Sequence, residues 1–340
     1  MARKDQEAVQ LPRPALPVGF RQFATQVAGH TFEATNAAAV GLLQDSVEGC
    51  VLKPLGKPEC EVRELNFYES LASAATAAAA SAAGSMTEAK AAPGDNDLAA
   101  LGRHVPRFYG HLKLVVNQRE HTFVRLEDLT RGMQQPCVMD VKMGRRTWDP
   151  LSSPHKRQVE EQKYVICKQK LGLCLPGFLV YLPAEEPGKT VLMRHGKDYG
   201  KSLNVAGFRQ TMGIFFNAST SDSKTRAAGT EILLREVLRQ LQEILAWFKR
   251  QRLLHFYASS LLICYDYARL SSAAQTQPAP LLNGHHHHHA QSCADDASEW
   301  VRVRMIDFAH VYPAEDGQPD ENYMFGLQSL IEVVESILYR

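Results

Sequence analysis

The chain has 340 residues, of which 45% are hydrophobic and 22% are charged, and its formal net charge is +1. This balance is typical of a globular protein. The near-neutral charge argues against a protein that coats nucleic acid, so we expect no direct nucleic-acid binding. No apolar run approaches the roughly 18 residues of a membrane span, and the N-terminus lacks the apolar core of a signal peptide, so we expect neither.

Seven cysteines are scattered along the chain without a CxxC pair. An odd, unclustered set of this kind indicates reduced thiols in a cytosolic or nuclear protein, and it favours neither a zinc site nor a disulfide framework. The length allows one large domain or two lobes that share a core.

The N-terminal region is predicted to be rich in strands. Residues 1–18 contain several prolines and should form a flexible arm, and residues 19–54 alternate like strands and end in VLKPL. The next segment, ECEVRELNFYESLASAA, has apolar residues at helical spacing. It leads into an alanine-rich stretch, about residues 71–99, which has almost no large apolar side chains to bury and is predicted to be a solvated insertion.

The middle of the chain is predicted to contain four strands and one helix. HVPRFYGHLKLVV, HTFVRLEDL and GFLVYLP are strand-like segments. In PCVMDVKM, an apolar strand carries Asp140 and Lys142 on the same side, because side chains two apart in an extended chain point the same way. Ser153 followed by Pro154 is typical of a helix start, and that helix should run to about Lys170.

The C-terminal region mixes helices and strands. EILLREVLRQLQEILAWFKRQRLL has one continuous apolar face and predicts a helix, and FGLQSLIEVVESILYR predicts a second. SSLLICYDYAR and WVRVRMIDFAHV predict strands. Between them, residues 271–298 form a low-complexity insert, and its run His285 to His289 favours disorder over metal binding. The pattern as a whole predicts an α+β protein with two lobes.

Four charged residues lie inside apolar segments: Lys53, Asp140, Lys142 and Asp307. Buried charges are costly unless they are paired, bind a metal or line a cleft. Each alone could be an edge-strand charge or part of a structural ion pair. Together they match phosphoryl transfer, which needs a lysine on the nucleotide phosphates, a carboxylate for magnesium and a second cation near the transferred group.

Other phosphate-binding motifs do not fit. GKS at 200–202 follows its preceding glycine at a spacing one residue too short for a Walker A loop. Neither G-x-G-x-x-G nor HRD occurs, which disfavours an ordinary protein kinase.

Residues 136–144, PCVMDVKMG, fit the pattern PxxxDxKxG, and with this nonapeptide the chain resembles the inositol polyphosphate kinases. Eight further blocks agree in order with that family: QVAGH (26–30), VLKPL (51–55), RELNFY (63–68), LEDLT (126–130), YGKSL (199–203), FYASSLL (256–262), IDFAHV (306–311) and FGLQSLIEV (325–333). The resemblance implies a two-lobed α+β fold with a protein-kinase-like ATP cleft and antiparallel sheets with helices. The N-terminal lobe would span residues 19–128 and the C-terminal lobe 129–340.

The resemblance also implies ATP and Mg²⁺ as cofactors and assigns the nucleotide residues. Lys53 would bind nucleotide phosphates with Glu64 as its ion-pair partner. Backbone groups of Glu127 and Leu129 would contact adenine, and Asp140 would hold the ribose hydroxyls.

The catalytic residues implied by the resemblance are Lys142 and Asp307. Lys142 would bridge the substrate and the moving phosphoryl group, Asp307 would coordinate magnesium, and His310 would approach the inositol phosphate. The resemblance would thus explain why one strand carries both charges, because Asp140 would face the nucleotide and Lys142 the acceptor.

A basic cluster follows the motif and suits an anionic substrate. From 142 to 170 there are eight lysines and arginines against three acidic residues, which raises anion capture. We expect Lys156 and Lys163 on the helix, and Lys197 and Lys201 in the YGKSL loop, to contact substrate; a solvated basic helix is the alternative.

The short segment between Asp149 and GFLVYLP leaves room for only a small cover over the inositol. In this family a small cover is typical of the multikinase branch, which accepts several inositol phosphates. Val159, Glu160 and Lys197 stand where other members carry glutamine, so the order of phosphorylation does not follow from the resemblance.

The expected reaction is transfer of the ATP γ-phosphate to inositol 1,4,5-trisphosphate and then to the tetrakisphosphate, giving tetrakis- and pentakisphosphate. The alternatives are an inositol hexakisphosphate or phosphoinositide kinase of the same family, or a non-catalytic scaffold that retains the fold. We expect a monomer located in the nucleus and cytoplasm.

Overall fold

The computed structural model describes residues 15–32, 39–82, 95–218, 224–273 and 297–339. Its strands are β1 (Phe20–Gln22), β2 (Leu43–Asp45), β3 (Cys50–Pro54), β4 (Phe108–Val116), β5 (Arg119–Glu127), β6 (Pro136–Met143), β7 (Leu173–Pro183), β8 (Thr190–His195), β9 (Leu254–Phe256), β10 (Ser260–Asp266), β11 (Val301–Ile306) and β12 (Val311–Pro313). Its helices are α1 (Pro58–Ala82), α2 (Asp95–Leu101), α3 (Pro154–Glu161), α4 (Val165–Leu171), α5 (Lys197–Ser202), α6 (Val205–Phe215), α7 (Lys224–Arg250), α8 (Tyr267–Ala273) and α9 (Glu321–Leu338).

The described strands form two five-stranded sheets and one two-stranded sheet. The N-terminal sheet has the order β1-β2-β3-β5-β4, and the second has the order β11-β10-β6-β7-β8. Every strand pair is antiparallel. The predicted α+β class with antiparallel sheets and helices is therefore confirmed, whereas a division between lobes at residue 128 stays a prediction.

Strand β6 lies at the centre of the second sheet, which explains its apolar sequence. Val138, Met139, Val141 and Met143 are buried on both faces of this strand. The long helix α7 and the C-terminal helix α9 pack against each other and enclose the same core, for example through a stack of the Phe248 and Tyr323 rings with centroids 4.3 Å apart. A charged residue on β6 is thus held in a rigid, densely packed element.

The predicted helix from Ser153 to about Lys170 is wrong in extent, because two helices occupy this segment. Its start is confirmed: the Ser153 hydroxyl accepts a hydrogen bond from the Lys156 N–H at 3.2 Å. The first helix ends at Glu161, and Tyr164 adopts a left-handed conformation with φ 53° before α4 begins. A residue in this region of φ and ψ cannot continue an α-helix.

Three further segments differ from the sequence predictions. YGKSL is not a loop, because residues 197–202 form the helix α5. The strand SSLLICYDYAR stops at Asp266, and Tyr267 opens the helix α8. The helix predicted over residues 231–254 starts earlier, at Lys224, and ends at Arg250.

The alanine-rich insertion is smaller than predicted. Helix α1 continues to Ala82, and Leu71 and Ala74 are buried within the predicted insert. Because alanine has a high helix propensity, α1 continues even where most of its residues are exposed to solvent.

The ends of the other predicted segments also belong to the fold. Residues 271–273 complete α8, and Ala297 is buried. In the predicted flexible arm, the Ala15 N–H donates to the Asn117 side chain at 3.0 Å. Residues 1–14, residues 83–94 of the alanine-rich insert and the run His285 to His289 lie outside the described residues.

Candidate active site

A cavity of about 800 Å³ lies between the two large sheets. Its walls come from strands of both sheets and from residues 23–30, the segment between β1 and β2 that we call the strap. All the residues that the sequence assigned to the nucleotide line this one cavity: Lys53, Glu127, Leu129, Asp140 and Asp307. The structure therefore brings together residues that are up to 254 positions apart.

Lys53 forms two ion pairs, and the one with Asp307 joins the two large sheets. Its Nζ lies 2.7 Å from Glu64 Oε1 on α1 and 2.7 Å from Asp307 Oδ1, which follows β11. Glu64 is 3% exposed and also accepts a hydrogen bond from the Phe308 N–H at 3.1 Å. Burial acts to lower the pKa of Lys53, but the carboxylates of Asp307 and Glu64 outweigh it and raise that pKa above its usual range. The ammonium group is thus permanently charged and fixed on the cavity wall.

Asp140 carries a buried carboxylate with an unused oxygen. The residue is 4% exposed, and its Oδ1 has no hydrogen-bond partner among the described residues. Burial and the nearby charge of Asp307 raise the pKa of Asp140 to about 7, against a smaller lowering by Lys142. An acceptor in this state suits a hydroxyl donor or a cation placed in the cavity.

Asp307 is set at a backbone turn with φ 66°, where β11 ends. The Ser259 hydroxyl donates to its carbonyl at 2.7 Å and holds that turn. Burial acts to raise the pKa of Asp307, but Lys53 and Lys142 lower it overall, so the carboxylate is ionised. Although it lies deep in the protein, 38% of its side chain is accessible from the cavity. Mg²⁺ is commonly bound by one or two carboxylates together with phosphates, and Asp307 with Asp140 fits that donor set.

Some backbone groups of Glu127 and Leu129, the residues expected to contact adenine, are already hydrogen-bonded within the protein. The Glu127 N–H donates to the Arg107 carbonyl at 2.9 Å, and the Leu129 carbonyl accepts from Arg302 at 2.6 Å. Each residue has one N–H and one carbonyl. The groups that stay candidates for contact with adenine are therefore the Glu127 carbonyl and the Leu129 N–H.

Lys142 does not line the cavity but lies next to it. It pairs with Ser260 on β10, and the register on the β7 side shifts between Asp140 and Lys142. Its charge acts on both sides, since it lowers the pKa values of Asp307 and of Glu160 on α3. Lys142 thus stands between the nucleotide cavity and the basic helices.

Beyond Lys142, His310 and Lys156 share a carboxylate that the sequence analysis did not select. His310 Nδ1 lies 2.7 Å and Lys156 Nζ 3.3 Å from Asp149 Oδ2, and the Asp149 side chain is 5% exposed. Burial and Lys156 lower the pKa of His310, against the influence of Asp149. Asp149 follows TW in the sequence and precedes a proline, and no periodicity marks it; only the fold reveals its partners.

Lys163 and Lys168 bind different groups of Glu160. Lys163 Nζ lies 2.6 Å from Glu160 Oε1 and stays partly exposed. Lys168, which the sequence analysis missed, is 3% exposed and donates to the Glu160 carbonyl near the end of α3. Burial lowers the pKa of Lys168. This hydrogen bond of Lys168 therefore joins α3 and α4 across the break between them.

The predicted substrate lysines Lys197 and Lys201 both lie on α5. Lys201 Nζ pairs with Asp198 on its own helix at 3.0 Å. Among the described residues, neither lysine forms an ion pair with Asp149, the carboxylate that His310 and Lys156 share. Helix α5 lies against β7, where Gly200 is required because a Cβ there would stand 1.8 Å from the Leu175 carbonyl oxygen.

None of the helices in the described ranges combines the length and apolar character that crossing a membrane requires.

Comparisons with known proteins show the family of this chain. The profile of the inositol polyphosphate kinase family matches residues 123–335. The chain is 26% identical to an inositol polyphosphate multikinase of Rattus norvegicus, over 96% of this chain and 94% of that protein. It is 30% identical to the multikinase IPK2 of Oryza sativa subsp. indica, over 92% of each.

Two further similarities are partial or distant. The chain is 32% identical to inositol hexakisphosphate kinase 3 of Homo sapiens, over 64% of this chain and 52% of that protein. A crystal structure of the S. cerevisiae multikinase Ipk2 in complex with ADP and Mn²⁺ superposes with a TM-score of 0.57 at 20% identity, over 85% of this chain and 99% of that one. The latter likeness concerns the fold alone.

Proposed function

The chain belongs to the inositol polyphosphate kinase family and is an ATP-dependent inositol polyphosphate kinase, and we propose that it is a multikinase. Its reaction would transfer the ATP γ-phosphate to a free hydroxyl of inositol 1,4,5-trisphosphate and then of the tetrakisphosphate. The observation that carries this proposal is the continuity of two sites. A cavity lined by Lys53, Asp140 and Asp307 adjoins Lys142, beyond which His310 and Lys156 form a basic cluster.

The extent of the similarities favours a multikinase over other members. The multikinases from rat and rice match more than nine-tenths of this chain and of their own length. The match to the hexakisphosphate kinase covers 64% of this chain and about half of that enzyme. The multikinases therefore share the N-terminal region as well as the catalytic core.

In the proposed mechanism, the chain's residues act by position and charge. Lys53, held by Glu64, binds nucleotide phosphates, and Asp140 accepts from the ribose hydroxyls through its unpartnered oxygen. Asp307 would hold the magnesium ion, which would neutralise phosphate charge. Lys142 stabilises the charge on the transferred group between donor and acceptor. The transition state is loose, so positioning and electrostatics suffice without a strong base.

On the acceptor side, His310 and Lys156 face the inositol phosphate with their geometry fixed by Asp149. Lys163 contributes a cation that Glu160 can release, because both side chains are partly exposed. Lys197 and Lys201 contribute to the wider positive field that draws in the substrate. We also propose the lobe division at residues 19–128 and 129–340, a monomeric state, and a location in nucleus and cytoplasm.

A second candidate is a kinase for inositol hexakisphosphate, because identity over the aligned core is slightly higher there, at 32% over 227 residues. Incubation of the purified protein with ATP and Mg²⁺ and a panel of inositol tris-, tetrakis- and hexakisphosphate, with separation of the products, tests both. We expect tetrakis- and pentakisphosphate from the trisphosphate. Preference for the hexakisphosphate would overturn the multikinase proposal, and no Mg²⁺-dependent ATP consumption with any substrate would favour a scaffold.

A further inference from the structure

The strap leaves the N-terminal sheet and docks on the other one. It follows β1, whose residues pair with β2, and nearly all its residues line the nucleotide cavity. Its Val27 packs against an apolar cluster that includes Leu129 and, from the second sheet, Val138 and Leu179. The strap therefore forms a wall of the cavity that bridges both sheets.

Arg194 on β8 binds the backbone of the strap from outside the cavity. Its two terminal nitrogens donate to the Gln26 carbonyl at 2.7 Å and to the Ala24 carbonyl at 2.8 Å. Arginine suits this task because its planar guanidinium presents several donors in a fixed fork. Arg194 itself does not line the cavity.

Two independent contacts show that the strap is built to lie in this place. A Cβ at Gly177 on β7 would stand 2.1 Å from the Val27 carbonyl oxygen, so only glycine admits the strap here. Gly177 is the residue that pairs with Asp140 across the sheet. Within the strap, the Gln26 amide donates to the Ala28 and His30 carbonyls, and its oxygen accepts from the Leu42 N–H at 2.9 Å.

We propose that Arg194 is a positioning residue that latches the strap over the nucleotide cavity and so sets nucleotide affinity without touching the nucleotide. The proposal rests on the proposed function, because it takes the cavity to bind ATP. Suppose that nucleotide binds well only while Arg194 holds the strap. The apparent Kd is then inversely proportional to the fraction of molecules in that state. Loss of two hydrogen bonds from a charged donor is enough for a change of about tenfold.

The test measures binding of a non-hydrolysable ATP analogue with Mg²⁺ by calorimetry, and hydrogen exchange of the strap amides without nucleotide. For Arg194→Gln we expect an approximately tenfold weaker Kd and faster exchange over residues 24–30. Arg194→Lys, which keeps the charge but not the fork, should lie between this variant and the parent. Lys189→Gln is the matched control, because it removes an exposed cation from the same hairpin with its only ion-pair partner, among the described residues, at Glu186.

The outcomes separate the latch from the proposed function. A lower Tm of Arg194→Gln with unchanged Kd and unchanged strap exchange would assign Arg194 a merely structural role and overturn the latch. A weaker Kd without faster strap exchange would also overturn it. Failure of the parent to bind the analogue would refute the proposed function, and the exchange measurement would still decide whether Arg194 holds the strap.

Discussion

The proposed nucleotide half and the proposed inositol half of the cleft hold their charges in different ways. In the nucleotide half, the ion pairs of Lys53 join residues 11 and 254 positions apart, and the pair with Glu64 is largely shielded from solvent. In the inositol half, Lys163 and Lys201 each pair with an acidic residue three positions earlier on the same helix or turn. Exposed local pairs are weak, whereas breaking a buried pair is costly. The nucleotide half is therefore preformed, and the acceptor half has cations that it can release to a ligand.

One pair in the inositol half departs from this rule. Asp149 is almost fully buried, so it cannot leave His310 and Lys156 when an anion arrives. The Glu160 side chain is 24% exposed and can turn away from Lys163. The acceptor half thus combines Lys156 and the His310 imidazole, whose pKa is lowered and which both lie against Asp149, with adjustable cations. This combination suits a kinase that accepts inositol phosphates with different numbers of phosphates.

Lys142 lies between the two halves, and its replacement should have the largest effect. Lys142→Ala should lower kcat by about 1000-fold, because it removes the cation nearest the transferred group. The Kd of an ATP analogue should change little, since Lys142 does not line the cavity. Single-turnover assays with calorimetric binding check both. A variant that phosphorylates the trisphosphate at near-parental rate would refute the role given to Lys142.

Replacement of Glu64 tests whether the nucleotide half is preformed. Glu64→Gln should lower the free energy of unfolding by about 2 kcal/mol, because a buried carboxylate that binds Lys53 and the Phe308 N–H loses its charge. It should also weaken binding of the ATP analogue by about tenfold. Denaturant unfolding and calorimetry measure the two effects.

The control for Glu64→Gln is Glu231→Gln on α7, where the partner Arg235 and the glutamate are both more than half exposed. Loss of such a pair should cost less than about 0.5 kcal/mol. Equal effects of the two variants would contradict the contrast between buried and exposed pairs.

Asp140 gives the nucleotide half a pH dependence of its own. Its pKa in the folded protein is about 7 against an ordinary value of 3.8, so the native state binds this proton more tightly than the unfolded state. The stability that comes from this group is fully present below about pH 4 and is lost as the pH rises through 7. Asp140→Asn should therefore raise the Tm of the nucleotide-free protein at pH 8 by several degrees, and by less at pH 5. Scanning calorimetry at both values measures this; an equal change at both would contradict the assignment.

The smallest effects are expected in the adjustable part of the inositol half. Lys163→Met should raise KM for the trisphosphate by about threefold at low salt, and the effect should shrink at high salt because exposed charges are screened. Lys201→Met should have a smaller effect, since Lys201 is already paired with Asp198 on its own helix. Initial rates at two ionic strengths provide the measurement. A larger effect at Lys201 would show that α5 approaches the substrate after all.

The sequence predicted the secondary structure and the local residues of the site better than the contacts between distant residues. The strand around Asp140, the helix start at Ser153 and the partner of Lys53 at Glu64 all agree with the structure. These features depend on local patterns or on a shared motif. The break at Tyr164 was missed, because a left-handed residue other than glycine has no strong sequence signal.

Contacts between distant elements escaped the sequence analysis more completely. Asp149 meets His310 across 161 positions, and Arg194 meets the strap across 168 and 170. Lys168 lies in a run of polar and apolar residues that gives no sign of its burial. Each of these side chains gains its role from a neighbour that only folding brings near.

The amino-acid sequence by itself determined the class of fold, the family and the identity of five residues that line the cavity, because apolar periodicity and short motifs act within a few positions of the chain. The tertiary structure alone decided which charges neutralise one another and which segments form the walls of the cavity. The reason is physical: the cost of burying a charge is met by a partner in space, and the distance to that partner does not depend on sequence separation.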